Sequence, residues 1–259
     1  MQVRTLLYCR NEEDARGNFL FFDTIRTGFP DATISVYGNR NDEHFDQAAC
    51  EKAAEIGASY ITLDKEIEHA SLINASILHP NEPLYVIDPD TIWFEPMPAA
   101  FDAAMAGRFI PNFYDVYSQT NTHKRLHTSV LYLDPPRIRK ALEGATRFYF
   151  EPVFECTYYL DGALYRFDTL SKLYNFLSDD CHSFTEEENL KFAHIFCGTH
   201  ISLVKDFIPL LMDTHNLALT DHEFARSLYP LQNDFFISSP WQVGEQQQRN
   251  QGGMCRTAS

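Results

Sequence analysis

The 259-residue chain has no CxxC pair; its six cysteines, at positions 9, 50, 156, 181, 197 and 255, are scattered. That scatter excludes a zinc ribbon or a disulfide framework. The N-terminal residues do not read as a secretory signal, so reduced thiols and a cytoplasmic setting are expected. No apolar run approaches the roughly 20 residues that a membrane-spanning helix needs, and the chain reads as soluble. Positive charge is scarce as well: 21 Lys and Arg stand against 36 Asp and Glu, a formal net charge of -15. The densest basic patch is only His123-Lys124-Arg125. An acidic surface repels phosphate backbones, which disfavours nucleic acid as a partner, while a nucleotide can still bind where a metal ion supplies the missing positive charge. Internal repeats are missing too.

What is present first is an alternation. "VRTLLYCRN" (3–11) is a short apolar run ending in polar residues, which predicts a buried strand feeding a loop. "ARGNFLFFDTIRTGF" (15–29) carries Phe19, Phe22, Ile25 and Arg26 at helical spacing and stops at Gly28 and Pro30. The pattern continues with a strand at 32–41, a helix at 43–56 closed by Gly57, a strand at 59–64 and a helix at 66–79 before Pro80. Strands alternating with helices at this spacing predict βαβ units and a mainly parallel sheet. In open sheets of that kind ligands sit beyond the carboxyl ends of the strands. Arg10-Asn11, Asn39-Arg40, Asp64 and Asp88-Asp90 all fall at such ends.

After residue 95 the rhythm changes. "RLHTSVLYLDPPRIRKALEG" (125–144) reads as a strand, a Pro-Pro stop and a short helix ended by Gly144. "TYYLDGALYRFDTLSKLYNFL" (157–177) reads as a loop or strand followed by a helix, and 191–207 contains a second buried apolar run. The expected organisation is one nucleotide-binding half over 1–95, an acceptor-side half of the same domain over 96–243, and a flexible Gln-rich tail over 244–259.

The most informative segment is "LYVIDPDTIWF" (84–94). Four apolar residues deliver Asp88-Pro89-Asp90 to the end of a presumed central strand, and a second apolar run follows at once. Asp-Pro also initiates turns, and a bare DxD arises by chance. Two carboxylates held at a strand end repel each other and lose hydration; a hard cation such as Mg²⁺ or Mn²⁺ relieves both costs. At the nucleotide end, Tyr8 could stack on a base, with Arg10, Asn11, Asn39, Arg40 and Asp64 around a nucleoside pocket. Each of these, taken singly, also fits an ordinary polar residue at a strand end.

Haloacid-dehalogenase-type phosphatases place a DxD after a strand as well, but they want Thr or Val four residues after the first Asp. Here Ile92 holds that place and Thr91 comes one too early. "YVIDPDTIWFEPM" instead resembles the strand–DxD–Thr–strand segment of nucleotide-sugar glycosyltransferases of the GT-A fold. "RLHTSVLYLDP" is similar to that family's next sheet strand, although His127-Thr128-Ser129-Val130 lacks its glycine. The resemblance covers the layout of roughly residues 3–205 and is specific in the DxD segment.

It implies a GT-A-like, Rossmann-type α/β fold, with a mixed, mainly parallel sheet flanked by helices. It implies a Mn²⁺ or Mg²⁺ cofactor on Asp88 and Asp90. The family often adds a histidine near the C-terminal end of the domain; His194, in a His-Ile-Phe triplet, is preferred over His200, with packing inside a strand as the plain alternative. No Lys-Pro-Trp follows, so the HxGxxKPW pattern of one retaining family is absent. An acidic residue lining the acceptor site falls on Asp161, with Glu155 in reserve, while an Asp-Gly turn accounts for Asp161 equally well. Asp168 reads as a surface residue of a helix. The expected reaction is transfer of a hexosyl or pentosyl group from a nucleoside diphosphate sugar to an acceptor that the residues do not identify. A nucleotidyltransferase would carry a Gly-rich basic loop after the first strand, which "YCRNEEDARGN" lacks. A non-catalytic nucleotide-sugar binding protein would have no reason to keep both carboxylates.

Overall fold

The computed structural model describes residues 1–111, 124–143, 153–154, 156–160, 163–167 and 169–194. The Gly144 helix stop, the run beyond His194 and the tail 244–259 lie outside the described residues. The chain begins with β1 (Gln2–Leu7), α1 (Glu12–Gly28), β2 (Thr33–Gly38), α2 (Glu43–Glu55), β3 (Ser59–Thr62), α3 (His69–Leu78), β4 (Leu84–Ile87) and β5 (Thr91–Trp93). It continues with β6 (Met105–Pro111), β7 (Lys124–Leu133), α4 (Pro135–Leu142), β8 (Cys156–Leu160), β9 (Ala163–Phe167), α5 (Ser171–Phe176), β10 (Cys181–Ser183), α6 (Glu186–Asn189) and β11 (Phe192–His194).

Seven strands form one mixed sheet in the order β10-β6-β7-β4-β1-β2-β3. β4, β1, β2 and β3 run parallel, as does β10 beside β6; β7 alone opposes its neighbours β4 and β6. This is the mainly parallel α/β sheet flanked by helices that the alternation predicts. β4 is central, and its four residues Leu84, Tyr85, Val86 and Ile87 are each fully buried. Side chains alternate across a strand, so Tyr85 and Ile87 join the core beneath α1 and α2. Leu84 and Val86 join the opposite core, with Ile73 and Ile77 of α3 and Ile138 of α4. A strand covered on both faces shows as a continuous apolar run.

The strands predicted at 32–41 and 59–64 end earlier, at Gly38 and Thr62, and three helix starts differ for local reasons. α1 starts at Glu12 rather than 15, because the Asn11 side chain accepts a hydrogen bond from the Asp14 amide at 2.8 Å and caps it. α3 starts at His69 rather than 66, because 63–68 is a loop held by Asn39 of the neighbouring strand end. Pro135 and Pro136 do follow the end of β7 at Leu133, but they also form the first turn of α4, where a missing amide costs nothing and Asp134 caps it. At the other end of α1, Gly28 lies against the Trp93 ring so closely that a Cβ would fall 2.6 Å from two ring atoms.

Two short ladders complete the fold. β8 and β9 form an antiparallel hairpin. β5 and β11 pair antiparallel, with Thr91 opposite His194 and Trp93 opposite Phe192. No helix among the described residues is long and apolar enough to cross a membrane. Cys9, Cys50 and Cys181 are free thiols.

Candidate metal centre

The ladder between β4 and β7 runs one residue past β4: the Asp88 amide donates to the Ser129 carbonyl at 2.8 Å. Pro89 and Asp90 then turn the chain into β5. The turn leaves both carboxylates at the carboxyl end of the central strand, the rim where open α/β sheets take ligands. β11, paired to β5, brings His194 alongside. Its Nε2 lies 2.9 Å from Asp90 Oδ1 and 3.5 Å from Asp88 Oδ2. One ligand atom from each of the three residues lies within 4.8 Å of the others. His194 therefore closes a strand, but it faces two carboxylates as well as packing.

Burial dominates the electrostatics. It pushes the Asp88 carboxyl above the ordinary carboxylate range, helped by the like charge of Asp90 and opposed by His69, His194 and Arg125. Burial alone would pull the His194 imidazolium down; the charge of Asp90 and the hydrogen bond His194 donates to it, with Asp88 behind, outweigh that and raise it. His127, whose ring meets that of His194 edge-on at 5.2 Å, is pushed well below its usual value by burial and by the cations around it. The two carboxylates thus favour the charged form of His194, while burial and the nearby cations favour the neutral form of His127. Two carboxylate oxygens and an imidazole nitrogen form a donor set that fits Mn²⁺ or Mg²⁺, and the nitrogen favours the transition metal.

Two histidines that the sequence reading passed over belong to this neighbourhood. His69, the first residue of α3, lies with Nε2 3.4 Å from Asp88 Oδ1. His127 lies on β7, its Nδ1 2.7 Å from the Ser129 hydroxyl. The signal for His69 was available in principle. In a βαβ unit the helix starts share a rim with the strand ends, so a histidine opening α3 lies level with the end of β4.

The nucleoside-end residues gather on the same rim in different states. Asn39 is fully buried and pairs with the Ile67 backbone in both directions, donating to its carbonyl and accepting from its amide at 2.9 Å each. Asn11 is engaged as the α1 cap. Tyr8 is half-buried, donates to the Ile67 carbonyl at 3.0 Å, and has its phenol pushed up to about 12 by burial. Arg10 reaches across that ring, 5.6 Å from its centroid, and pairs with Glu66. Arg40, at a φ of 55°, and Asp64 have exposed side chains. Asp161, Glu155, His200 and Asp168 lie outside the described residues.

No family profile and no curated protein matches the chain. Among solved structures, the bifunctional glycosyltransferase WbbM, in its apo form, is 9% identical, covering 71% of this chain and 38% of its own, with a TM-score of 0.46. The galactosyltransferase LgtC, solved with donor and acceptor sugar analogues, is 11% identical over 71% of this chain and 73% of its own, TM-score 0.43. The mannosyltransferase PcManGT of Pyrobaculum calidifontis, solved with GDP-Man and Mn²⁺, is 11% identical over 98% of this chain and 81% of its own, TM-score 0.41. The chain spans less than half of the WbbM chain. Likenesses this distant carry no argument about what the site does.

Proposed function

We propose that the protein is a metal-dependent glycosyltransferase that moves a hexosyl or pentosyl group from a nucleoside diphosphate sugar to an acceptor. Asp88, Asp90 and His194 hold the Mn²⁺ or Mg²⁺. The observation that carries this reading is the convergence of two carboxylates and an imidazole at the end of β4. When bound, the ion supplies positive charge against the diphosphate as it leaves.

The rest falls to the chain's own groups. Arg10, Arg40 and Asp64 offer exposed polar side chains to a nucleoside, and Tyr8 offers a ring face. Asn11 and Asn39 serve the pocket by fixing the loops that bear those residues. Asp161 is the first choice for the acceptor-side carboxylate and Glu155 the second; in an inverting reaction that group takes the proton of the acceptor hydroxyl. A cytoplasmic setting agrees with the free thiols.

The test is a panel of nucleoside diphosphate sugars, each incubated with the protein and Mn²⁺. One donor should give slow metal-dependent hydrolysis and a rise in melting temperature, and both should disappear in Asp90→Ala. Asp161→Asn should reduce transfer and leave donor binding in place. Silence across the whole panel, or an Asp90→Ala variant that binds and turns over like the parent, defeats the proposal.

A further inference from the structure

We infer that His69 is a positioning residue for the metal centre, donating its Nε2–H to the outer oxygen of Asp88 and so aiming the inner oxygen at Asp90 and His194. The inference rests on the metal reading above. Asp88 sits between two imidazoles: Oδ1 faces His69 at 3.4 Å and Oδ2 faces His194 at 3.5 Å. The two histidines are not equivalent. His194 Nε2 is already drawn to Asp90 at 2.9 Å, and a nitrogen that holds an ion must give up its proton. It can then donate nothing to Asp88. His69 Nε2 is buried, and among the described residues it makes no hydrogen bond. An imidazole N–H in that position has Asp88 Oδ1 3.4 Å away as an acceptor, and a small turn of the Asp88 carboxyl group would bring it into line.

The fold holds His69 firmly. Its helix is anchored by Ala70, Leu72 and Ile73, all buried in the core. The loop before it is pinned by the reciprocal bonds between Asn39 and Ile67. A ligand carboxylate whose second oxygen is held by a donor loses less freedom on binding. Such supporting hydrogen bonds typically carry 10–100-fold of metal affinity.

The experiment measures Mn²⁺ affinity on the full chain, by electron paramagnetic resonance of the free ion. His69→Phe should weaken binding by about ten- to hundredfold. His69→Gln, which keeps a donor, should return most of it. In an Asp88→Asn background His69→Phe should add little further, because the two residues act as one unit. Melting temperatures in EDTA show that each variant is folded, and Leu replaces Phe should the Phe variant not fold. His69→Phe binding Mn²⁺ as tightly as the parent, or His69→Gln binding as weakly as His69→Phe, overturns the inference and leaves the metal reading intact. A parent protein that does not bind Mn²⁺ overturns both.

Discussion

If His194 holds the proposed ion, its imidazole must be deprotonated on binding, and its neighbours favour the charged form. Burial pulls its pKa down, but Asp90 at 2.9 Å and Asp88 outweigh that and raise it above the ordinary 6.5, so the displacement extends to higher pH than for a free imidazole. Below that raised value, one proton leaves for each ion bound. Mn²⁺ affinity should then tighten tenfold per pH unit, about 1.4 kcal/mol, and level off once pH passes the His194 pKa. Towards acid, the Asp88 carboxyl, raised above 3.8 by burial, protonates as well, and the slope should steepen towards two. His127 adds nothing here, since its lowered pKa keeps it neutral. Isothermal titration calorimetry in two buffers of different ionisation heat counts the protons directly. Near pH 6 about one should leave per ion. In His194→Gln the count should fall towards zero along with the affinity. A parent protein that releases no proton at pH 6, or a variant that releases as many, refutes the reasoning.

Other consequences concern the frame. Gly28→Ala forces a methyl to within 2.6 Å of the buried Trp93 ring, which is already packed against Phe29 and Phe192. Overpacking of this kind costs about 1–3 kcal/mol, so the urea midpoint should drop; an unchanged midpoint would mean that α1 moves aside freely. Arg26 donates to the carbonyls of Ile56 at 2.9 Å and Ala32 at 2.8 Å, with Gly57 also in reach at 3.3 Å. Arg26→Ala should cost about 2–3 kcal/mol by urea unfolding, and a loss below half of that contradicts the bonding described. Asn39→Ala strips both partners from Ile67 and should cost about 2 kcal/mol. If it instead weakened only donor binding, with the urea midpoint unmoved, Asn39 would be a ligand residue rather than part of the frame.

The sheet was legible because its signals are local. β1 to β4 each combine an apolar run with a polar stop, and the helices between them carry 3.6-residue periodicity, so the alternation of elements and a mainly parallel sheet followed. Helix starts were less legible. Asn11 acts through a single cap and Asn39 by holding the loop before α3, and each shifts a boundary by three residues without altering the periodicity. Asp88 and Asp90 stood out because an unusual residue pair ends an apolar strand. His69 did not, since a histidine opening a helix has no partner within its own segment. Its meaning comes only from Asp88, which follows the far end of β4. The β5–β11 pairing was beyond local reasoning altogether. Three-residue strands have too little alternation to declare themselves, and nothing near Trp93 announces a partner at Phe192.

That last ladder bears on how the protein is made. The two aspartates leave the ribosome about a hundred residues before the histidine that completes their cluster. At roughly 5–20 residues per second, the interval lasts on the order of 5–20 s. Throughout it β4 can already lie beside β1, with two acidic side chains at its tip and no β11 to supply a counter-charge. A nascent chain in that condition has a reason to leave the tip of β4 hydrated and to close the rim last. The arrival of Phe192–His194 would then be the event that sets an imidazole beside the two carboxylates.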